Sequence, residues 1–142
     1  MHTPDEDLML RRSLLFLLMS VVVLSCDDAT GPDDLLGTWS LRSVSGQSLP
    51  YVLEQDATVK IELTGETVTL LASGRQTMVT SFRVTDGGVV STESVPASGN
   101  YTVTGSTLLL TFDNDTDTYT AIVKDGNMTI DDIGLTFVYR RD

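Results

Sequence analysis

From residue 35 to its end the sequence predicts an all-β domain, an antiparallel up-and-down barrel of eight to ten strands. Three observations carry this expectation. Apolar and polar residues alternate with period two over most of the stretch. The breaks between alternating segments are short and rich in Gly, Asp and Ser. No segment shows the periodicity of an amphipathic helix of three turns, and Tyr51 to Gln55 is read as at most one short helical turn. Successive side chains of a strand point to opposite faces, so strict alternation marks a sheet with one dry and one wet side.

The elements follow in order. Strands are expected at about 38–45, 57–64, 67–71, 76–86, 89–94, 100–104, 107–112, 117–124, 127–131 and 134–140. Val59, Ile61 and Leu63 share one face, and Lys60 and Glu62 the other. Met78, Phe82 and Val84 oppose Thr77, Ser81 and Arg83 in the same way. Tyr101 and Val103 repeat the pattern, as do Leu108, Leu110 and Phe112, and then Tyr119, Ala121 and Val123. Threonine dominates the wet side, where a β-branched residue suits a solvated pleat. The expected turns are Gly65-Glu66, Ala72 to Arg75, Asp86-Gly87-Gly88, Gly105-Ser106 and Asp125-Gly126-Asn127. Pairs of this kind favour hairpins between neighbouring strands. Closing the sheet removes its edges, so hairpin-only connectivity favours a barrel over the alternative, a two-sheet β-sandwich.

The amino-terminal segment has a different character. Arg11-Arg12 precedes an apolar run from Ser13 to Leu24, and Val23-Leu24-Ser25-Cys26 ends on the single cysteine. The run is shorter than the roughly 20 residues of a membrane-spanning helix and fits a secretory h-region. It resembles a bacterial lipoprotein signal peptide with its lipobox. The resemblance implies cleavage between Ser25 and Cys26 and acylation of the Cys26 sulfur. Asp5, Glu6 and Asp7 fit such a leader badly, and a start at Met9 instead of Met1 would remove them. The expected organisation is a signal peptide at 1–25, an acidic linker at 26–34 and a barrel domain at 35–142.

Loss of the leader narrows the chemistry. His2 is the one histidine and Cys26 the one cysteine, so the mature chain would hold no imidazole and no free thiol. Ser-His-Asp and Cys-His mechanisms need an imidazole, and zinc sites draw on Cys and His. Disulfides are excluded on the same count. The full chain has 20 acidic and 9 basic side chains. The leader takes three acidic and two basic ones with it, leaving 17 against 7. Such a surface repels nucleic acid and anionic headgroups, so membrane attachment would come from the acylated Cys26.

Leu36-Gly37-Thr38-Trp39-Ser40-Leu41 resembles the opening strand of a lipocalin, with its Gly-X-Trp start. The resemblance implies that Trp39 plugs one end of a lipocalin or calycin-like barrel and that a basic residue of the last strand packs across it. Strand phase favours Arg141 over Arg140 for that partner, because Arg141 shares the face of Phe137 and Tyr139. Ser43 to Pro50 and Gly99 to Gly105 are similar to segments of lipocalin-like domains in bacterial surface lipoproteins.

Other clusters invite plainer readings. Asp113-Asn114-Asp115-Thr116-Asp117 lacks the glycine and glutamate that complete a calcium loop, with Thr118 and Lys124 at those positions, so it is an acidic turn. Glu62, Glu66, Glu93 and Asp131-Asp132 are expected in solvent by strand phase or turn position, so no catalytic or metal residue is assigned. No cofactor is expected.

The expected function is a lipid-anchored, non-enzymatic, monomeric binding module of the bacterial cell envelope, on its periplasmic or surface side. Its ligand would be small and apolar or amphipathic. The expected lining is Ile61, Leu70, Phe82, Tyr101, Leu110, Tyr119 and Phe137. A ligand-binding interior should enclose about 300 Å³ or more. The competing reading is a structural or protein-interaction lipoprotein with a solid barrel, and an enzyme stands third.

Overall fold

In a computed structural model, residues 32–142 are described. A short helix, α1 (Pro32–Leu35), leads into ten strands. These are β1 (Gly37–Val44), β2 (Gln47–Ser48), β3 (Tyr51–Gln55), β4 (Val59–Leu70) and β5 (Arg75–Asp86). They continue as β6 (Val89–Thr104), β7 (Thr107–Phe112), β8 (Thr118–Lys124), β9 (Asn127–Asp132) and β10 (Leu135–Arg141). From β4 to β10 every strand pairs antiparallel with the next. β1 then pairs with β10 on one side and with β4 on the other. That double pairing closes an eight-stranded antiparallel barrel, with β2 and β3 as an excursion between β1 and β4. The barrel is therefore the fold, and the sandwich alternative falls.

One expected turn and one expected break between strands are absent. Gly65-Glu66 lies inside one continuous strand, β4, where the register against β5 shifts between Leu63 and Gly65. A bulge of this kind inserts one extra residue and reverses the phase of everything after it. Ile61 and Leu63 face inward before it, and Glu66, Val68 and Leu70 do so after it, opposite Thr80, Met78 and Gln76. A break in alternation reads locally like a turn, which explains the mistaken expectation. Likewise 89–94 and 100–104 join as the single strand β6. Tyr51–Gln55 is strand β3 along β4, not a helical turn, because β4 offers it a free edge.

The expected hairpins elsewhere are present. Asp125-Gly126 and Ile133-Gly134 both have positive φ at the two central positions, as a two-residue hairpin turn requires. Inside, Trp39, Leu41, Val68, Leu108, Leu110, Met128 and Tyr139 belong to one buried core. Leu49 and Tyr51 pack against it from the β2–β3 excursion.

Candidate functional site

The short helix α1 is tied to the first and last strands of the barrel through Trp39 and Arg141. Trp39 of β1 is buried, and its indole N–H donates to the Leu35 carbonyl at 2.9 Å. That bond satisfies the polar edge of a ring otherwise in apolar surroundings. Arg141 lies opposite Trp39 in the β1–β10 register. Its Nη1 donates to the Asp34 carbonyl at 2.7 Å, so the last strand holds α1 as well. Gly37 has φ of +115°, and a Cβ there would sit 3.5 Å from Arg141 Nε. The glycine thus supplies both a backbone conformation that other residues resist and room for the guanidinium. Asp33 and Asp34, read as the end of the tether, form part of α1. Ser25 and Cys26 lie outside the described residues.

Further into the barrel is a cavity of about 180 Å³ lined by Glu66, Met78, Tyr119, Ile130, Asp132, Phe137 and Tyr139. Five strands contribute: β4 through Glu66, β5 through Met78, β8 through Tyr119, β9 through Ile130 and Asp132, and β10 through Phe137 and Tyr139. The β4 bulge is what brings Glu66 inward, opposite Thr80. One Glu66 carboxylate oxygen accepts the Thr80 hydroxyl at 2.6 Å, and the other accepts the Tyr139 hydroxyl. Burial, reinforced by the Glu66 charge, pushes the Tyr139 phenol far above the usual tyrosine range. Tyr119 is shifted upward too, first by burial and then by Asp115, whose carboxylate accepts its hydroxyl at 3.3 Å. Both phenols therefore stay protonated as donors at neutral pH.

Of the seven residues expected to line the interior, Tyr119 and Phe137 line this cavity. Leu70 and Leu110 are instead packed into the core. Phe82 and Tyr101 pack against that core, and Ile61 is half-buried on the inward face of upper β4. Tyr101 spends its hydroxyl on the Leu71 carbonyl at 2.7 Å. Sequence reasoning missed Glu66 and Asp132, both read as solvated. The one signal that could have found Glu66 is the phase change itself: after Leu63, even-numbered residues Glu66, Val68 and Leu70 take the apolar rhythm.

The carboxylates elsewhere have other partners. Glu62 is 5 % exposed on the opposite face of β4 from Leu63, not solvated as expected. It is held by Arg83 at 2.7 Å and Lys60 at 2.9 Å. Those two bonds, Arg83 first, hold its pKa down at about 2. Asp113, opening the acidic turn between β7 and β8, takes a two-pronged contact from Arg75, at 2.9 and 2.7 Å. No group of three or more His, Cys, Asp or Glu among the described residues is arranged to hold a metal ion.

An eight-stranded antiparallel barrel with a buried tryptophan on its first strand and a small, mostly apolar-walled cavity is a calycin-like fold. Residues 35–130 match the model of the lipocalin-like domain, and the chain belongs to that family. No curated protein matches the sequence. Among solved structures, a mutant of the fluorescent protein UnaG is similar at 15 % identity and a TM-score of 0.33, over 77 % of this chain and 96 % of that one. Fatty-acid-binding protein 1 of Echinococcus granulosus is similar at 16 % identity and a TM-score of 0.32, over 75 % and 96 %. At these scores the closure of the barrel rests on its own strand pairing.

Proposed function

We propose that the domain is a non-enzymatic binding module that takes a small apolar or amphipathic ligand into the barrel, and that acylated Cys26 tethers it to a membrane of the bacterial cell envelope. The observation that carries the first part is the cavity: a closed barrel of this family keeps a space walled by Met78, Tyr119, Ile130, Phe137 and Tyr139. At about 180 Å³ it falls short of the expected 300 Å³. A space near 150 Å³ holds a molecule the size of benzene, so the buried part of the ligand is that small. The lipobox resemblance supports the anchor.

Native mass spectrometry of the full chain released from its producing membranes tests the first part. A reproducible small adduct, lost on denaturation, is expected; protein that is always empty would count decisively against a ligand. Labelled palmitate should enter the chain and fail to enter Cys26→Ala, and equal labelling of both would remove the anchor.

The cavity's modest size favours a second reading, a largely solid barrel that binds protein partners. The surface of that reading is the upper β3–β6 sheet, where Val52, Leu53, Val89, Val90 and Val95 are exposed. Cross-linking in cells at these positions would show a partner if this reading holds.

A further inference from the structure

Resting on the reading of the barrel as a binding module, we propose that the group it buries is a small cation, an ammonium or alkylated ammonium carried by an amphipathic ligand, and not the carboxylate of a fatty acid. The cavity sets two carboxylates, Glu66 and Asp132, among three aromatic rings, Tyr119, Phe137 and Tyr139. A ring face attracts a cation within about 6 Å of its centre, and more strongly once water is excluded. A carboxylate beside the ring adds the opposite charge.

The basic side chains of the described residues are all placed elsewhere. Lys60 and Arg83 serve Glu62, and Arg75 serves Asp113. Arg42, Arg140 and Arg141 line an outer groove. Lys124 ends β8 at its turn into β9. No lysine or arginine lines the cavity, and neither Glu66 nor Asp132 belongs to an ion pair among the described residues.

A ligand carboxylate would therefore meet two like charges with no cation among the lining residues to neutralise it, and like charge at short range disfavours ionisation or binding. The two hydroxyl donors of the lining, Tyr139 and Tyr119, already donate to Glu66 and Asp115. A cation meets the reverse situation. It can sit on the aromatic walls, take the field of both carboxylates and leave those two hydrogen bonds intact. The volume, about 180 Å³, admits a compact head such as trimethylammonium while the rest of the ligand extends outward. The chain's net charge of −11 also raises the local concentration of cations and lowers that of anions.

The test uses three probes of one compact shape: tetramethylammonium, neutral tert-butanol and anionic pivalate. Each is titrated by calorimetry and NMR into the full chain held in phosphatidylglycerol nanodiscs, with empty nanodiscs as the blank. The expected result is tetramethylammonium bound at least about tenfold more tightly than tert-butanol, with pivalate weakest. Glu66→Gln should bring that preference close to unity while tert-butanol binding is kept. Asp132→Asn provides the same reading should the first variant lose its fold, which its thermal midpoint reports. Equal binding of cation and neutral probe, tighter binding of pivalate, or a preference unmoved in folded variants would overturn the cation proposal and leave the binding module standing. Silence from all three probes overturns the cation proposal as well. With an adduct in the native mass spectrum the module survives that result, and with empty protein both fall.

Discussion

Strands β7–β9 and the part of β4–β6 that lies away from them both carry apolar residues, and those residues end in different environments. β7, β8 and β9 have neighbours on both sides, and their inward residues Leu108, Leu110, Ala121, Val123, Met128 and Ile130 are buried. β6 opens on two adjacent valines and a polar run from Ser91 to Ser94, and it pairs with β7 only from Gly99 to Thr104. Its first ten residues pair with β5 alone, and Val89, Val90 and Val95 are exposed. These valines lack a second neighbouring strand that would close over them, and the strand between them is polar. The free edge carries Pro96, which offers no N–H, and a charged Glu93, both devices that discourage edge-to-edge pairing.

The two regions also use different forces. The closed wall relies on apolar packing around Trp39 and Tyr139. The upper sheet relies partly on Glu62 lying between Lys60 and Arg83. The sharpest way to break the closed region is Trp39→Ala. It removes the buried indole and its bond to Leu35, and should cost about 3–5 kcal/mol, read as a shift in the urea midpoint. An unchanged midpoint would mean the indole is not structural.

Gly99 is where the regions meet, pairing with Gln76 on β5 and Phe112 on β7. A Cβ there would fall 1.7 Å from the Thr111 carbonyl oxygen. Backbone cannot swing aside as a side chain can, so Gly99→Ala should destabilise by about 3 kcal/mol, the upper end of the overpacking range, with the β6–β7 amides losing exchange protection first.

Acid separates the regions by their chemistry. Glu62 is held at a pKa of about 2 against an ordinary 4.5. Its stabilising contribution is complete above pH 4.5 and is lost as pH falls through about 2, because protonation then removes the charge that Arg83 and Lys60 bind. Hydrogen exchange should therefore show β4–β5 amides near Glu62 loosening over that window ahead of those in β7–β9. Glu62→Gln should abolish that difference; a difference that persists would point to another carboxylate.

The smallest effect belongs to the β9–β10 turn. Ile133 is 82 % exposed with φ of +46°, a conformation a β-branched residue resists. Ile133→Asn should raise stability by about 0.5–1 kcal/mol, because asparagine tolerates the left-handed region. A fall in the thermal midpoint would show that the isoleucine is held by contacts instead.

Much of this architecture was legible residue by residue. The period-two rhythm from Val59 onward and the Gly-containing hairpins announce an antiparallel sheet that favours a barrel, while a tryptophan at one end was implied only by the resemblance of Gly37-Thr38-Trp39 to a lipocalin's opening strand. Those are local signals, set by how side chains alternate and by which residues accept positive φ. The lining was legible only for Tyr119 and Phe137, since alternation tells which face is dry but not whether a dry residue meets another side chain or empty space.

What the chain alone determined is thus most of the strand content, most of the turns and the face of most residues. Tertiary structure decided the rest. The bulge after Leu63 is defined by its register against β5, and it turned Glu66 from an apparent loop residue into an interior one. Closure through β1 and β4 brought Glu66, Asp132 and three rings around one cavity, though they are spread over four strands. Such a meeting depends on pairing between residues far apart in the chain, and a pattern of period two carries no record of that pairing.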